Sequence, residues 1–178
     1  VLTAATDYAD PTRADVKSAS YSRKTDTFEL SNPTTWKGRG KDAVARGHVP
    51  FDEDDYITEA FTREAGAFIR ANKDAPFFLY LPYNAPHGPL QVTQEYYDRF
   101  PQIAHEAKRI YAAMISALDD SIGSVLGVIE EQGLEENTLV ILISDNGAGV
   151  AAYASNSPLR LGKHTLFEGG VRVPFVMK

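Results

Sequence analysis

The sequence predicts an α/β fold with a mostly parallel sheet and flanking helices. Three observations support this fold class: an apolar run at 77–81, a long helical pattern after it, and a second apolar run at 138–143. Strand, helix and strand in this order form a βαβ unit, whose crossover is right-handed and whose two strands run in the same direction. The residues that follow the two strands are therefore expected at the same edge of the sheet.

The remaining elements follow in chain order. Residues 1–55 show no sustained period and are predicted to form an irregular, peripheral segment, whereas 56–178 hold the regular elements. A first helix is expected from Ile57 until shortly before Pro76. Thr93 is placed to cap a short helix that runs through Arg99. The long helix has an apolar stripe from Ile110 to Ile129, with Gly133 at the position of a left-handed C-terminal cap.

Composition narrows the function classes. The chain has 178 residues, 43% of them hydrophobic, a formal net charge of -6 and no cysteine. Disulfides, thiolate metal sites and a cysteine nucleophile are therefore excluded within this chain. Lys and Arg residues are scattered, which argues against nucleic acid, and no apolar run reaches the roughly 18 residues of a membrane span. The chain begins with Val1, so we expect an excerpt or a processed chain.

His87 is the first candidate for chemistry. It follows the first apolar run and lies between Pro86 and Pro89. Proline fixes φ and restricts the residue before it, so the loop presents the imidazole in few conformations. A hydrogen-bonded structural histidine is the alternative interpretation.

Asp145 and Asn146 follow the second apolar run and offer a carboxylate and an amide oxygen. Such ligands suit Ca²⁺, or less well Mg²⁺, although Asp-Asn-Gly is also a common turn. A calcium site needs about six or more oxygens, so further ligands are required. The pairs at 54–55 and 119–120 are rejected as ligands, because the first follows no strand and the second lies on the polar face of the long helix.

Lys163 is the third candidate, in a glycine-rich loop over 158–170. A cation among glycines can approach an anionic ligand closely, since no Cβ obstructs the backbone. A mobile surface lysine is the alternative, because that is the usual environment of the residue.

Together these segments strongly resemble the type I, formylglycine-dependent sulfatases of the alkaline phosphatase superfamily. The resemblance covers residues 56–178. The segments that carry it are a strand followed by Asn84-Ala85-Pro86-His87-Gly88-Pro89, a long helix ending at Gly133-Leu134, the strand before Ser144-Asp145-Asn146-Gly147, and Gly162-Lys163-His164-Thr165-Leu166-Phe167-Glu168-Gly169-Gly170-Val171-Arg172-Val173-Pro174.

The resemblance implies a sulfuric ester hydrolase and a role for each candidate. His87 matches the histidine that contacts sulfate and protonates the leaving oxygen, and Lys163 matches the lysine that binds sulfate beside that oxygen. Asp145 and Asn146 match two calcium ligands. The substrate would be a sulfated carbohydrate or an aryl sulfate, and the resemblance favours a periplasmic or secreted enzyme.

The chain departs from the family in several places. Leu161 stands where glycine is usual, and His164 stands where a small residue is usual. The formylglycine motif C/S-x-P-S-R and the aspartate pair of the calcium site are missing, and the partial matches at 9–13 and 31–35 are treated as coincidences. We therefore expect the chain alone to be inactive, with the missing amino-terminal part supplied in cis or by another chain.

Four other polar residues receive no catalytic role. His48 and His105 have no motif around them, and Glu168 and Arg172 are expected to brace their loop. Two alternative functions stay open. One is a phosphonate monoester hydrolase or phosphodiesterase of the same superfamily, and the other is a non-catalytic module that binds sulfated glycans.

Overall fold

The computed structural model describes residues 55–88, 90–149 and 153–178 in full and, before residue 55, the backbone of five strands. The chain divides into two compact units, Val1–Leu134 and Glu135–Lys178. The sequence analysis placed a boundary at residue 55 instead, between a peripheral segment and the regular elements. That boundary stays a prediction.

Short antiparallel strands occupy the early part of the first unit. They are β1 (Leu2–Thr3), β2 (Val16–Ser22), β3 (Thr27–Ser31), β4 (Ala45–Arg46) and β5 (Val49–Pro50). Strands β1, β4 and β5 form one sheet, while β3 and β2 form another sheet with a later strand, β6 (Leu90–Thr93). The sequence analysis predicted no strand in this region, because its residues lack a clear two-residue period.

Helix α1 (Ile57–Asn72) confirms the first predicted helix. Its buried side includes Ile57, Phe61, Ala65 and Ile69, at the three- and four-residue spacing of one helical face. The helix ends before Pro76, as the sequence indicated.

Residues 77–83 correct the prediction of a buried strand. The segment is extended but pairs with no strand among the residues that the structure describes. Its alternate residues face α1: Phe77 makes an edge-to-face contact with Phe68, and Tyr83 makes one with Phe61. Phe78, between them, is 86% exposed. One face of this apolar segment thus packs on a helix and the other face is exposed. Composition alone cannot distinguish such a segment from a strand that is buried on both faces.

Strand β6 leads into a short helix, α2 (Gln94–Tyr97), and then into α3 (Glu106–Glu131). Thr93 is the residue before α2, but its side chain makes no capping hydrogen bond, and the helix ends two residues earlier than predicted. His105 receives a role that the sequence did not suggest, because its Nδ1 accepts a hydrogen bond of 3.4 Å from the Lys108 N–H at the start of α3.

Two arginines join the α2 region to α3. Arg99 lies over the Tyr96 ring and donates to Asp120 at 2.7 Å. Arg109 lies over the Tyr97 ring, at 3.7 Å from the centroid. Cation–π contacts of this kind add about 0.5–1 kcal/mol each at exposed sites. The Arg99 pair also agrees with the rejection of the acidic pair at 119–120 as metal ligands.

Helix α3 is the core helix of the first unit. Ile110, Met114 and Ala117 are buried, and the acidic residues Asp119 and Asp120 are exposed, as predicted. The helix is long and apolar enough to cross a membrane by length and composition alone, which is weak evidence since buried core helices share these properties. It packs against α1 and β6.

The end of α3 confirms the predicted left-handed cap. Gly133 has φ +68°, its N–H donates to the Glu130 carbonyl at 2.8 Å, and the Leu134 N–H donates to the Ile129 carbonyl at 3.0 Å. These two bonds form a Schellman motif, which satisfies carbonyls that the helix leaves open.

The second unit contains a 3-10 turn at Glu135–Asn137, β7 (Ile141–Ile143), α4 (Glu168–Val171) and β8 (Phe175–Met177). Strand β7 is shorter than the predicted 138–143, and its residues are exposed rather than buried. It pairs antiparallel with β8, with Leu142 opposite Val176. Every strand pairing among the described residues is antiparallel, so the mostly parallel sheet stays an expectation.

Replacing Gly133 by alanine should destabilise the protein by about 1 kcal/mol, because a Cβ is unfavourable at positive φ. Gly123→Ala is the matched control: it lies inside α3 with open space around it, and alanine there should stabilise by up to about 1 kcal/mol. Urea denaturation of both variants measures the difference. Two changes of the same sign would contradict the cap.

Candidate functional site

The His87 loop is held by hydrogen bonds close to the imidazole. The His87 N–H donates to the Asn84 carbonyl at 2.9 Å, and Nδ1 lies 2.7 Å from the Gly88 carbonyl oxygen. If Nδ1 carries the proton and donates to this carbonyl, Nε2 is left as the nitrogen that can face a ligand. The residue itself is exposed, whereas Ala85 of the same loop is buried.

Tyr83 attaches this loop to α1. Its hydroxyl lies 2.9 Å from the Thr62 hydroxyl, which in turn donates to the Thr58 carbonyl at 2.7 Å. Leu81 and Tyr83 pack against a cluster of Ile57, Ala60 and Phe61. Burial raises the pKa of Tyr83, and the hydrogen bond with Thr62 lowers it in part. The position of His87 therefore depends on apolar packing four residues before it.

Asp145 and Asn146 form the turn after β7. The Ser144 hydroxyl donates to the Asn146 carbonyl at 2.9 Å, and the Ser144 N–H donates to the Pro174 carbonyl at 3.3 Å. Asp145 is exposed and Asn146 is half-buried. The turn thus presents an accessible carboxylate next to an amide oxygen, which is the donor chemistry that calcium prefers.

Lys163 is tied to the same turn through the backbone. Its N–H donates to the Ala148 carbonyl at 3.0 Å, and the Gly147 N–H donates to the Gly170 carbonyl at 3.0 Å. The loop is also closed on itself, because the Gly169 N–H donates to the Arg160 carbonyl at 2.9 Å. The structure therefore brings the Asp145–Asn146 turn and the Lys163 loop into one hydrogen-bonded frame.

Four glycines allow this frame to form. A Cβ on Gly147 would overlap the Gly169 carbonyl oxygen, and one on Gly162 would overlap the Ala148 carbonyl oxygen. Gly169 and Gly170 meet backbone carbonyls in the same way. A backbone carbonyl cannot shift to make room for a Cβ as the end of a flexible side chain can. These positions therefore require glycine.

The two departures from the family pattern adopt left-handed backbone. Leu161 has φ 57° and His164 has φ 71°, on either side of Gly162 and Lys163. Leucine at such an angle costs about 1–2 kcal/mol. This explains why glycine is the residue expected at position 161.

Asn156 was missed by sequence reasoning. Its Oδ1 accepts from the Ala148 N–H at 3.0 Å, and its Nδ2 donates to the Ala148 and Leu161 carbonyls at 2.8 and 3.0 Å. The available signal was weak, since asparagine before Ser-Pro reads as an ordinary turn. The charged atoms of Arg172 and Glu168 lie 3.5 Å apart on the exposed side of their loop, and their expected bracing role stays a prediction.

The four predicted site residues fall in both units. His87 lies in the first unit, and Asp145, Asn146 and Lys163 lie in the second, where they share one frame. Within the described residues, no group of three or more acidic or histidine side chains could hold a metal. Asp55, from the first rejected acidic pair, forms an ion pair with Arg63.

Comparison with known proteins identifies a family. A family model described as Sulfatase matches residues 6–178, which extends the likeness well before residue 56. The chain is 35% identical over 136 residues to Arylsulfatase J of Mus musculus, covering 75% of this chain and 23% of that protein. It is 34% identical over 123 residues to N-acetylgalactosamine-6-sulfatase of Homo sapiens, covering 66% and 22%.

Solved structures of similar proteins also match this chain. The crystal structure of Ps i-CgsB in complex with k-i-k-neocarrahexaose matches with a TM-score of 0.73 and 39% identity, covering 77% of this chain and 31% of that chain. A second structure, from work on the metabolism of multiple glycosaminoglycans by Bacteroides thetaiotaomicron, matches with a TM-score of 0.59 and 26% identity. The match covers 75% of this chain and 29% of that chain. The chain spans about a quarter of the length of the curated relatives it matches.

Replacing Tyr83 by phenylalanine should lower stability by about 1 kcal/mol at neutral pH through loss of the Thr62 bond. Because the folded pKa of Tyr83 is raised above 10.0, its stabilisation is complete below pH 10 and is lost as pH rises through the folded pKa. Phenylalanine cannot ionise, so the variant should lose less stability than the wild type between neutral and alkaline pH. Denaturant titrations across this range test both points, with exposed Tyr80→Phe as the control.

Neighbouring substitutions in the Lys163 loop should act in opposite ways. Gly162→Ala should destabilise by about 3 kcal/mol, because its Cβ meets a carbonyl oxygen. Leu161→Gly should be neutral or stabilising by up to about 1 kcal/mol, since relief of the positive φ exceeds the added unfolded-state entropy. Thermal unfolding compares the two, and an equal loss in both would contradict this loop geometry.

Proposed function

We propose that this chain, which belongs to the sulfatase family, is part of an enzyme that hydrolyses sulfate esters. The observation that carries the proposal is the hydrogen bond from the Lys163 N–H to the Ala148 carbonyl. It joins a loop that offers a cation for sulfate oxygens to a turn that offers oxygens for a metal. The second unit thereby offers two of the elements that cleavage of a sulfate ester uses, a cation and oxygen ligands for a metal.

The electrostatic demand of the reaction explains these residue types. Cleavage of the ester develops negative charge on the leaving oxygen and keeps anionic oxygens around sulfur. An ammonium group held near these oxygens stabilises the charge as it forms. We assign this role to Lys163, which is half-buried and fixed at its backbone.

Asp145 and Asn146 fit calcium as two of its ligands, and Mg²⁺ fits less well because it requires a stricter geometry. When bound, the cation would withdraw charge from a sulfate oxygen. We propose that the other calcium ligands and the formylglycine nucleophile implied by the family resemblance are supplied in cis or by another chain.

His87 is the proposed general acid, and its Nε2 is the atom that would donate to the leaving oxygen. That its loop meets the Asp145 turn and Lys163 at one edge of a mostly parallel sheet stays a prediction of the sequence.

A sulfated carbohydrate is the proposed substrate class. Support comes from the 39% identity to a structure solved with k-i-k-neocarrahexaose and from the match to an N-acetylgalactosamine-6-sulfatase. A periplasmic or secreted location is proposed from the family alone. No observation favours the alternative of a phosphonate monoester hydrolase or phosphodiesterase. Parallel assays with sulfate esters, phosphate diesters and phosphonate monoesters would distinguish these activities.

In the full-length enzyme, replacing His87 by alanine should lower turnover of an alkyl or sugar sulfate by about 10² to 10⁴, because proton donation to a poor leaving group is lost. Turnover of an activated aryl sulfate should fall much less, since its leaving group needs no proton. Steady-state kinetics on both esters measures the contrast. Equal losses on the two esters would remove the acid role from His87.

A further inference from the structure

The side chain of Asn156 connects the two loops of the second unit. Its amide bonds to both backbone groups of Ala148, which lies two residues after Asn146, and to the carbonyl of Leu161, which lies two residues before Lys163. We propose that Asn156 is a positioning residue that sets the calcium affinity of the Asp145–Asn146 turn and the sulfate affinity of Lys163. This inference rests on the proposed function of the same site.

Two neighbouring side-chain contacts each act within one loop, while backbone bonds of Gly147 and Lys163 also join the two loops. Thr165 donates to the Gly162 carbonyl at 2.7 Å, and Arg172 pairs with Glu168 one helical turn away. Asn156, in contrast, spans eight residues to Ala148 and five to Leu161. Its loss would therefore leave the spacing between the loops to the backbone bonds of Gly147 and Lys163, without a side chain that bonds to both loops.

The donor and acceptor pattern requires an amide at this position. The Ala148 N–H donates to this side chain, and the carbonyls of Ala148 and Leu161 accept from it, so only a group that both donates and accepts can make all three bonds. The Ala148 carbonyl also accepts from the Lys163 N–H at 3.0 Å. Asn156 and Lys163 thus meet at one oxygen atom, and a shift of Ala148 moves both.

Aspartate is the sharpest substitution because it preserves shape. Asn156→Asp keeps an acceptor for the Ala148 N–H but turns a second oxygen toward two carbonyl oxygens, so the loops should separate. Asn156→Ser is the second variant, since its hydroxyl can keep one bond without adding charge. Asn137→Asp is the matched control, because Asn137 is exposed in the 3-10 turn of the same unit.

The test uses the full-length enzyme, stripped of metal, with calcium binding measured by calorimetry without substrate. Asn156→Asp should weaken calcium binding by about tenfold or more, and Asn156→Ser should weaken it less. Inhibition of the calcium-loaded enzyme by inorganic sulfate should weaken in the same order. The Asn137→Asp protein should match the wild type in both measurements.

A purely structural role predicts a different result. In that case the variants would melt at lower temperature while the folded protein bound calcium and sulfate as the wild type does, and this outcome would overturn the proposal. Loss of folding in both Asn156 variants would overturn it as well. If the wild type cleaves no sulfate ester but Asn156→Asp still weakens calcium binding, the proposed function fails and the positioning role stands.

Discussion

The close approach of backbone to backbone in the second unit is the constraint on which the candidate site depends. Gly147, Gly162, Gly169 and Gly170 each lie where a Cβ would meet a carbonyl oxygen. Removing the side chains lets peptide groups from two loops bond directly, so the turn with Asp145 and the loop with Lys163 share one frame. A short segment with little apolar burial can hold charged groups in place by this means.

The first unit holds its candidate residue by different forces. His87 ends a segment whose alternate side chains pack on α1, and the edge-to-face contacts of Phe77 and Tyr83 fix the two ends of that segment. Such aromatic pairs add about 0.5–1.5 kcal/mol each beyond the area they bury. The opposite face, with Phe78 and Tyr80, is exposed.

Local pattern accounts for what the sequence could predict. Helices α1 and α3 and the cap at Gly133 follow from spacing within a few residues, and the structure confirms them. The burial of the run at 77–81 and the direction of β7 depend on partners far away in the chain, and the sequence analysis was wrong about the burial of both segments. Apolar content shows that a segment avoids water in its complete fold, but it does not show which element covers it.

In the candidate site, too, the sequence predicted what depends on local motifs and missed what depends on distant contacts. Motif order predicted Asp145, Asn146 and Lys163 as site residues, and their role stays a prediction, although backbone bonds join the segments that carry them. Asn156 was missed because bonds from a side chain to the backbone follow no period. Leu161 and His164 were noticed as departures, but only the backbone shows that both adopt positive φ.

Apolar packing around His87 and backbone hydrogen bonding around Lys163 differ in the substitutions they tolerate. Apolar packing around Tyr83 is non-directional, so substitutions of similar volume on α1 can be absorbed by small shifts. The frame around Lys163 consists of directional bonds and contacts with carbonyl oxygens, which tolerate neither a methyl group nor a misplaced acceptor. Substitutions around the His87 loop can therefore be absorbed by repacking, while the loops that carry Asp145 and Lys163 must keep their glycines. The left-handed Leu161 and His164 show where this chain departs from that rule, at positions next to the frame rather than within it.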